Sequence, residues 1–328
     1  MIPGVWSCYF DGSGGIEKNI SVEAMASAIQ SGTGTLWVDI DVRNPEAVGL
    51  LGSVFHFHPL AIEDALNPQS RVKIEEYPGF LILIVRTIAF VEHTEDPYDI
   101  ETVNLTSFLG KNFLVTAHGG HTLPLDTARA ILEKNPGLVT AGPSRLMHAV
   151  VDEAVNAYFP ILDQLDEFMD TLEEKVFASF DQSALREIFN VKRLVLSLRR
   201  HLAPERDVFS VLTNRPSALL TPDTQVYFRD IHDHILRIND SLETYRELLS
   251  NTLDSYLTQV SNRLGMITKA LSVGATISIP FVVVSGMWGM NFDEIPLQHT
   301  SHGFWTMLVL QLGLGAILLI FLRWRKLL

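Results

Sequence analysis

The 328-residue chain has one cysteine, Cys8. A single thiol excludes an intramolecular disulfide framework and every multi-cysteine zinc site, and it fits a reducing compartment. Positive charge is also scarce. With 25 Lys and Arg against 38 Asp and Glu, the formal net charge is −13, the wrong balance for a nucleic-acid binder, which carries a basic face. No GxxxxGK[ST], HExxH or GxSxG occurs, so nothing points to ATP-driven pumping or to an enzyme. The opening MIPGVWSCYFDGSGG lacks a basic n-region and a long apolar h-region, so no secretory leader is expected.

What is present is hydrophobic: 47% of residues, against 19% charged, which excludes a disordered chain, a collagen and an end-to-end coiled coil. The length suits about two domains. Apolar residues concentrate at the C-terminus. Ala270 to Met290 and Gly303 to Leu322 carry no charge, and each has the ~20 residues that cross about 30 Å of hydrocarbon as a helix. Basic residues flank the pair: Arg263 and Lys269 before it, Arg323, Arg325 and Lys326 after it. The intervening loop has no Lys or Arg but carries Asp293 and Glu294. The positive-inside rule therefore predicts a hairpin with both termini cytoplasmic and the loop outside, and the inner (plasma) membrane is its expected location. Removing these five basic and two acidic residues leaves 20 basic and 36 acidic in residues 1–262, a net of −16. A head this acidic attracts cations.

The head divides by periodicity. In residues 1–123, VWSCYF, TLWVDI, FLILIVRTIAF, TVNLTSFLG and NFLVTAH read as strands, and VEAMASAIQ, PEAVGLLGSVF and PLAIEDAL as short helices. This predicts an α/β subdomain. Residues 124–221 read as helical, in segments 124–135, 144–180 and 183–213. From Asp223 to Ile279 there is no proline, and apolar residues recur in steps of three or four from Ile231 to Leu271. That heptad-like stripe predicts one long stalk helix running into the first span, over 222–291. A loop follows over 292–302, then a second span over 303–322 and a basic tail over 323–328.

Gly289-Met290-Asn291 falls at the outer end of the first span. His58-Pro59-Leu60-Ala61-Ile62-Glu63-Asp64-Ala65-Leu66-Asn67 lies in the head, and Tyr227-Phe228-Arg229-Asp230-Ile231-His232-Asp233-His234 on the stalk. In this order, with two C-terminal spans, these stretches resemble the CorA family of divalent-cation channels. The resemblance implies a homopentameric funnel embedded in lipid, with the first span lining the pore.

It also implies roles. Asn291 would form a ring of carboxamides that hold a hydrated Mg2+ ion through its waters without gripping it; a helix cap is the other use of an Asn there. Gly289 would permit the turn, Met290 would pack, and Asp293 and Glu294 would enrich cations outside. Thr268, Leu271, Ala275, Ile279, Val282 and Gly286, three or four apart, would line the conduit, and Pro280 would kink it. Asp64 and Asp230, with Glu63 beside them, would bind a regulatory cation between subunits, with Asp233 and Asp254 lesser candidates. The plainer alternatives for these acids are a helix-surface position or a salt bridge to Arg71, Lys73 or Arg229. The sequence also departs from the family. Gly265 stands where a second asparagine ring is usual, Thr268 where a bulky gate residue is usual, and Val282 where a hydroxyl is often found.

Three readings stay open at this point: an Mg2+ channel that also passes Co2+ and Ni2+; a Zn2+ transporter, proton-coupled or not, of the ZntB type; and a non-conducting membrane-anchored sensor or scaffold. The closely spaced histidines, His56 and His58, His118 and His121, His232 and His234, and His299 and His302, raise zinc as a ligand.

Overall fold

A computed structural model describes residues 2–12, 15–91, 94–120, 122–135, 137–178, 182–215, 217–291, 295–297 and 299–325, without the side chains of 178 and 182. The chain forms two compact units, Met1–Thr252 and Leu253–Leu328.

The first unit is built on a seven-stranded sheet. Its strands are β1 (Val5–Phe10), β2 (Glu17–Lys18), β3 (Thr35–Asp41), β4 (Lys73–Tyr77), β5 (Phe80–Phe90), β6 (Ile100–Gly110) and β7 (Phe113–His118). Their order is β2-β1-β3-β7-β6-β5-β4. Only β3 and β7 are parallel; the other neighbours are antiparallel. Three helices, α1 (Val22–Ser31), α2 (Pro45–Ser53) and α3 (Pro59–Leu66), cover one face. Alternate strand residues close this layer: Leu36, Val38 and Ile40 of β3, Ile82 and Ile84 of β5, and Val115 of β7 are all fully buried, against Met25, Leu51 and Ala61 of the helices. The strict alternation is what the pleat requires of a face packed on helices.

Sequence signals set the local ends. Ser21 caps α1 by accepting from the Ala24 N–H at 3.2 Å. Asn44 caps α2 through Glu46 at 3.0 Å, ahead of Pro45. Gly34 enters β3 at φ +73°, where a Cβ would lie 2.3 Å from the Phe10 carbonyl oxygen, so only glycine fits.

On the other face lie α4 (Leu123–Lys134), the short α5 (Gly137–Thr140), α6 (Pro143–Asn156), α7 (Phe159–Ala178) and α8 (Gln182–Asn214). The single helix expected over 144–180 is two. The chain breaks at Ala157–Tyr158 because Pro160, in the first turn of α7, has no N–H to give to the Asn156 carbonyl. Two strands were absent from the sequence reading: β2, which has only two residues, and the edge strand β4, whose KIEEY is mostly polar.

The long helix, α9, runs Pro222–Trp288 without interruption, through Pro280. Within the first unit its stripe residues Ile231, Ile235, Ile238 and Leu242 are fully buried. Tyr245 donates to Asp166 of α7 at 2.7 Å, and Arg199 of α8 pairs with Glu243 at 2.6 Å. In the second unit, α9 is followed by α10 (Gly303–Trp324). Both helices are long and apolar enough to cross a membrane.

Candidate functional site: the C-terminal helices and the head motifs

The two helices of the second unit touch along one side of each. On α9 the half-buried residues are Val273, Ile277, Pro280, Phe281, Val284 and Trp288; on α10 the facing set includes Met307, Leu308, Gln311, Gly315 and Leu318. Phe281 seats its ring against the bare Cα of Gly315, where a Cβ would lie 2.5 Å from Phe281 Cζ. One turn further along α9, Ser285 Oγ accepts a hydrogen bond from Gln311 Nε2 at 3.2 Å.

Thr268, Leu271, Ala275, Ile279, Val282 and Gly286 are all exposed. At about 100° per residue they fall within an ~80° arc centred roughly opposite the α10-facing side. A contiguous, mostly apolar arc that one hairpin leaves uncovered is a surface for other copies or for a conduit. Gly265 is likewise exposed, with nothing within 4 Å of the place a Cβ would occupy.

At the end of α9, Gly289 N–H donates to the Ser285 carbonyl at 3.0 Å and Met290 N–H to Met287 at 3.3 Å. Asn291 follows, exposed, and makes no side-chain cap among the described residues. Its amide is free. The φ of Gly289 lies outside the left-handed region. Asp293 and Glu294 lie outside the described residues.

The head motifs resolve into scaffolding and display. In the first motif, His58 caps α3 by accepting the Leu60 N–H on Nδ1 at 3.2 Å, Pro59 opens the helix and Asn67 ends it. Those residues leave Glu63 exposed and Asp64 half-buried. Asp64 Oδ2 lies 2.6 Å from Lys73 Nζ, which also reaches Glu75 at 3.0 Å. Burial works against the lysine's charge, but its hydrogen bonds to Asp64 and Glu75 prevail and hold it above its usual range. The ion-pair alternative for Asp64 is therefore realised, with Lys73.

In the second motif, Phe228 is fully buried and Tyr227 stacks under the Arg145 guanidinium, 3.2 Å from the ring centroid. Asp230 and Asp233 are exposed. Asp230 Oδ2 lies 3.9 Å from His234 Nε2 on the same helix. Among the described residues no ion pair or hydrogen bond joins Asp64 to Asp230, and no three His, Cys, Asp or Glu converge as a ready-made metal cage.

One acid beside this second motif was not singled out by the sequence. Asp152 of α6 has a buried Oδ1 with no partner. Burial pushes its carboxyl up, with the charges of His234 and Asp230 acting on it. His234 Nδ1 is buried and unpartnered too. Neighbouring His148 is driven down to about 4 by burial and by Arg145. The only sequence signal was helical periodicity, which places Asp152 on a helix but not beside α9.

The histidine pairs mostly have structural work. His118 faces Asp39 at 3.2 Å, within a buried set in which Asp39 also binds Arg129 and Thr116. Burial opposes the charge on His118, yet the Asp39 hydrogen bond and charge raise it. His56 Nδ1 meets the Gly52 carbonyl at 3.1 Å, and His302 Nδ1 meets Ser301 at 2.9 Å. His121 lies outside the described residues.

Deepest of all is Glu205 of α8, fully buried. Its Oε1 accepts the Arg86 N–H at 2.8 Å, while Oε2 has no partner. Arg86 in turn binds Asn104, His201 and the Ser70 carbonyl, and its own carbonyl accepts from Tyr158 at 3.1 Å. Burial raises Glu205 to about 8.

Known proteins share this architecture. The Bacillus subtilis protein YfjQ is 31% identical over 297 residues, 90% of each chain. The cobalt/magnesium transport protein CorA of Thermotoga maritima is 28% identical over 94% of this chain and 88% of its own. The solved CorA magnesium transporter from Methanocaldococcus jannaschii superposes with a TM-score of 0.84 at 23% identity, covering 98% of both chains. Residues 32–325 match the CorA-like Mg2+ transporter family, and the chain belongs to it.

Proposed function

We propose that this chain is a passive channel for divalent cations in the inner (plasma) membrane. Its cargo is Mg2+, with Co2+ and Ni2+ as further ions. It assembles as a lipid-embedded homopentamer with both termini in the cytoplasm. The observation that carries the reading is the uncovered arc of α9, Thr268 to Gly286, on a helix followed three residues beyond its end by Asn291, exposed and without a side-chain hydrogen bond among the described residues. One hairpin cannot enclose a path through hydrocarbon. Five copies arranged with this arc inward give an apolar constriction beneath a ring of amides, which meets the ion while it keeps its waters. A divalent ion entering down 100 mV gains about 4.6 kcal/mol, so no ATP is required.

Regulation follows from the head. Glu63 and Asp64 on one subunit, with Asp230 and Asp233 on the next, form a site that a cation turns from repulsion into a clamp. Asp152 fits the same role: its orphaned, raised carboxyl is a donor that an arriving cation would relieve. In this division of labour residues 1–221 sense together with Asp230 and Asp233, the rest of 222–291 transmits and conducts, and 303–322 anchor.

Flux into liposomes tests the reading. Purified protein should pass Mg2+, and Asn291→Ala should lower that flux at least tenfold. No flux of any divalent ion would sink it. The exposed Gly265, with no ligand side chain at the inner mouth, favours a second reading in which Zn2+ is the cargo; preference for Zn2+ over Mg2+ in the same assay would establish it.

A further inference from the structure

The uncovered arc of α9 conducts only if it points at the channel axis, and something must set that rotation. We infer that Gln311 of α10, acting through Ser285, is a positioning residue that fixes the rotation and the axial register of the pore helix. The inference rests on the channel reading above.

In lipid, apolar contact between two helices discriminates weakly between rotations, because the tails are as apolar as the side chains. The hairpin has two features that do discriminate. Phe281 fits the notch at Gly315, where any side chain would collide with its ring. Four residues on along α9, and four back along α10, Gln311 Nε2 donates to Ser285 Oγ at 3.2 Å. The two contacts step together, as antiparallel helices require. One is steric and the other directional.

Turning α9 by one residue, about 100°, would take Ser285 away from Gln311 and carry Gly286 out of the arc. Sliding α9 by one turn, about 5.4 Å, would set Phe281 against Gln311 and leave the amide facing a ring. Either movement breaks both contacts, so the pair specifies one arrangement. Gln311 touches no ion on this account. It determines which atoms of α9 do.

A double-mutant cycle read as ion flux tests this. Wild type, Ser285→Ala, Gln311→Leu and the double variant are reconstituted in liposomes, and initial rates are taken for Mg2+ and Ni2+. A hydrogen bond of this kind is worth on the order of threefold. Each single variant should change the Mg2+/Ni2+ rate ratio by about that factor, and the double variant should be no worse than either single. Ser285→Thr keeps the oxygen and should retain the wild-type ratio. Thermal unfolding of the same variants in detergent reports stability separately. Coupled losses of stability with an unchanged flux ratio would make the bond merely structural and overturn the inference. Additive effects would show that the two residues do not act through each other, with the same result. A wild type that conducts while both single variants match it overturns this inference alone. A wild type that passes no divalent ion overturns the channel reading and this one together.

Discussion

The ammonium of Lys73 sits 2.6 Å from the carboxylate of Asp64. An acid offered by sequence as a cation ligand is thus already held by an internal cation, which any divalent ion has to displace. The exchange sets the concentration at which the head would respond.

Lys73→Gln should therefore sensitise the protein. The pair is about three-quarters buried on both sides, and a pair of this kind is worth about 1 kcal/mol. The midpoint of Mg2+-dependent protection from protease should fall roughly fivefold. A midpoint that is unchanged or higher would remove Asp64 from the sensing site.

Asp230→Lys tests the other half. Asp230 is mostly exposed, and its contact with His234 is long, at 3.9 Å, so replacing it costs little in folding. Mg2+ should then protect α9 less, at a midpoint shifted upward by tenfold or more. Protection identical to wild type would take Asp230 out of the site.

Glu205 predicts an unusual pH profile. Its carboxyl titrates at about 8 in the fold and near 4.3 when unfolded. Between those values the native state holds a proton that the unfolded chain has lost, so stability falls as pH rises through this window. The whole effect is on the order of a few kcal/mol. Glu205→Gln cannot ionise, so its melting temperature relative to wild type should improve from pH 5 to pH 8. A constant difference would mean that Glu205 is not neutral in the fold.

His118 supplies an independent slope. Its pKa is raised through Asp39, so its stabilisation is complete below about 6.5 and is lost as pH climbs through the raised value. His118→Gln should cost about 1–2 kcal/mol at pH 6 and clearly less at pH 9, measured by thermal unfolding. Equal losses at the two pH values would count against a charged His118.

Much of this was readable in the sequence, for identifiable reasons. β5 and α3 announce themselves through a long β-branched and aromatic run and through a proline-led helix, and both were anticipated end to end. β4 was not, because a polar edge strand carries no alternation to read. The same omission hid the partner of Asp64: choosing Lys73 over Arg71 depends on β4 pairing with β5 and presenting Lys73 beside α3. The α9 arc was legible as a spacing of three and four. That Gln311 holds the opposite side was not, since it is an interhelical contact between residues 26 positions apart. The buried Glu205 has no local signature either; it is defined by strands and helices that reach it from 119 residues away.

Chain order has a consequence for biogenesis. The unit Met1–Thr252 precedes both charge-free stretches, and domains close N-terminal first as they leave the ribosome. Chain order therefore allows the sheet-and-helix unit to close before either of these two stretches emerges. Defects in delivery to the bilayer and defects in core packing should then produce different cellular casualties: an intact but stranded body in the first case, and a degraded nascent chain in the second.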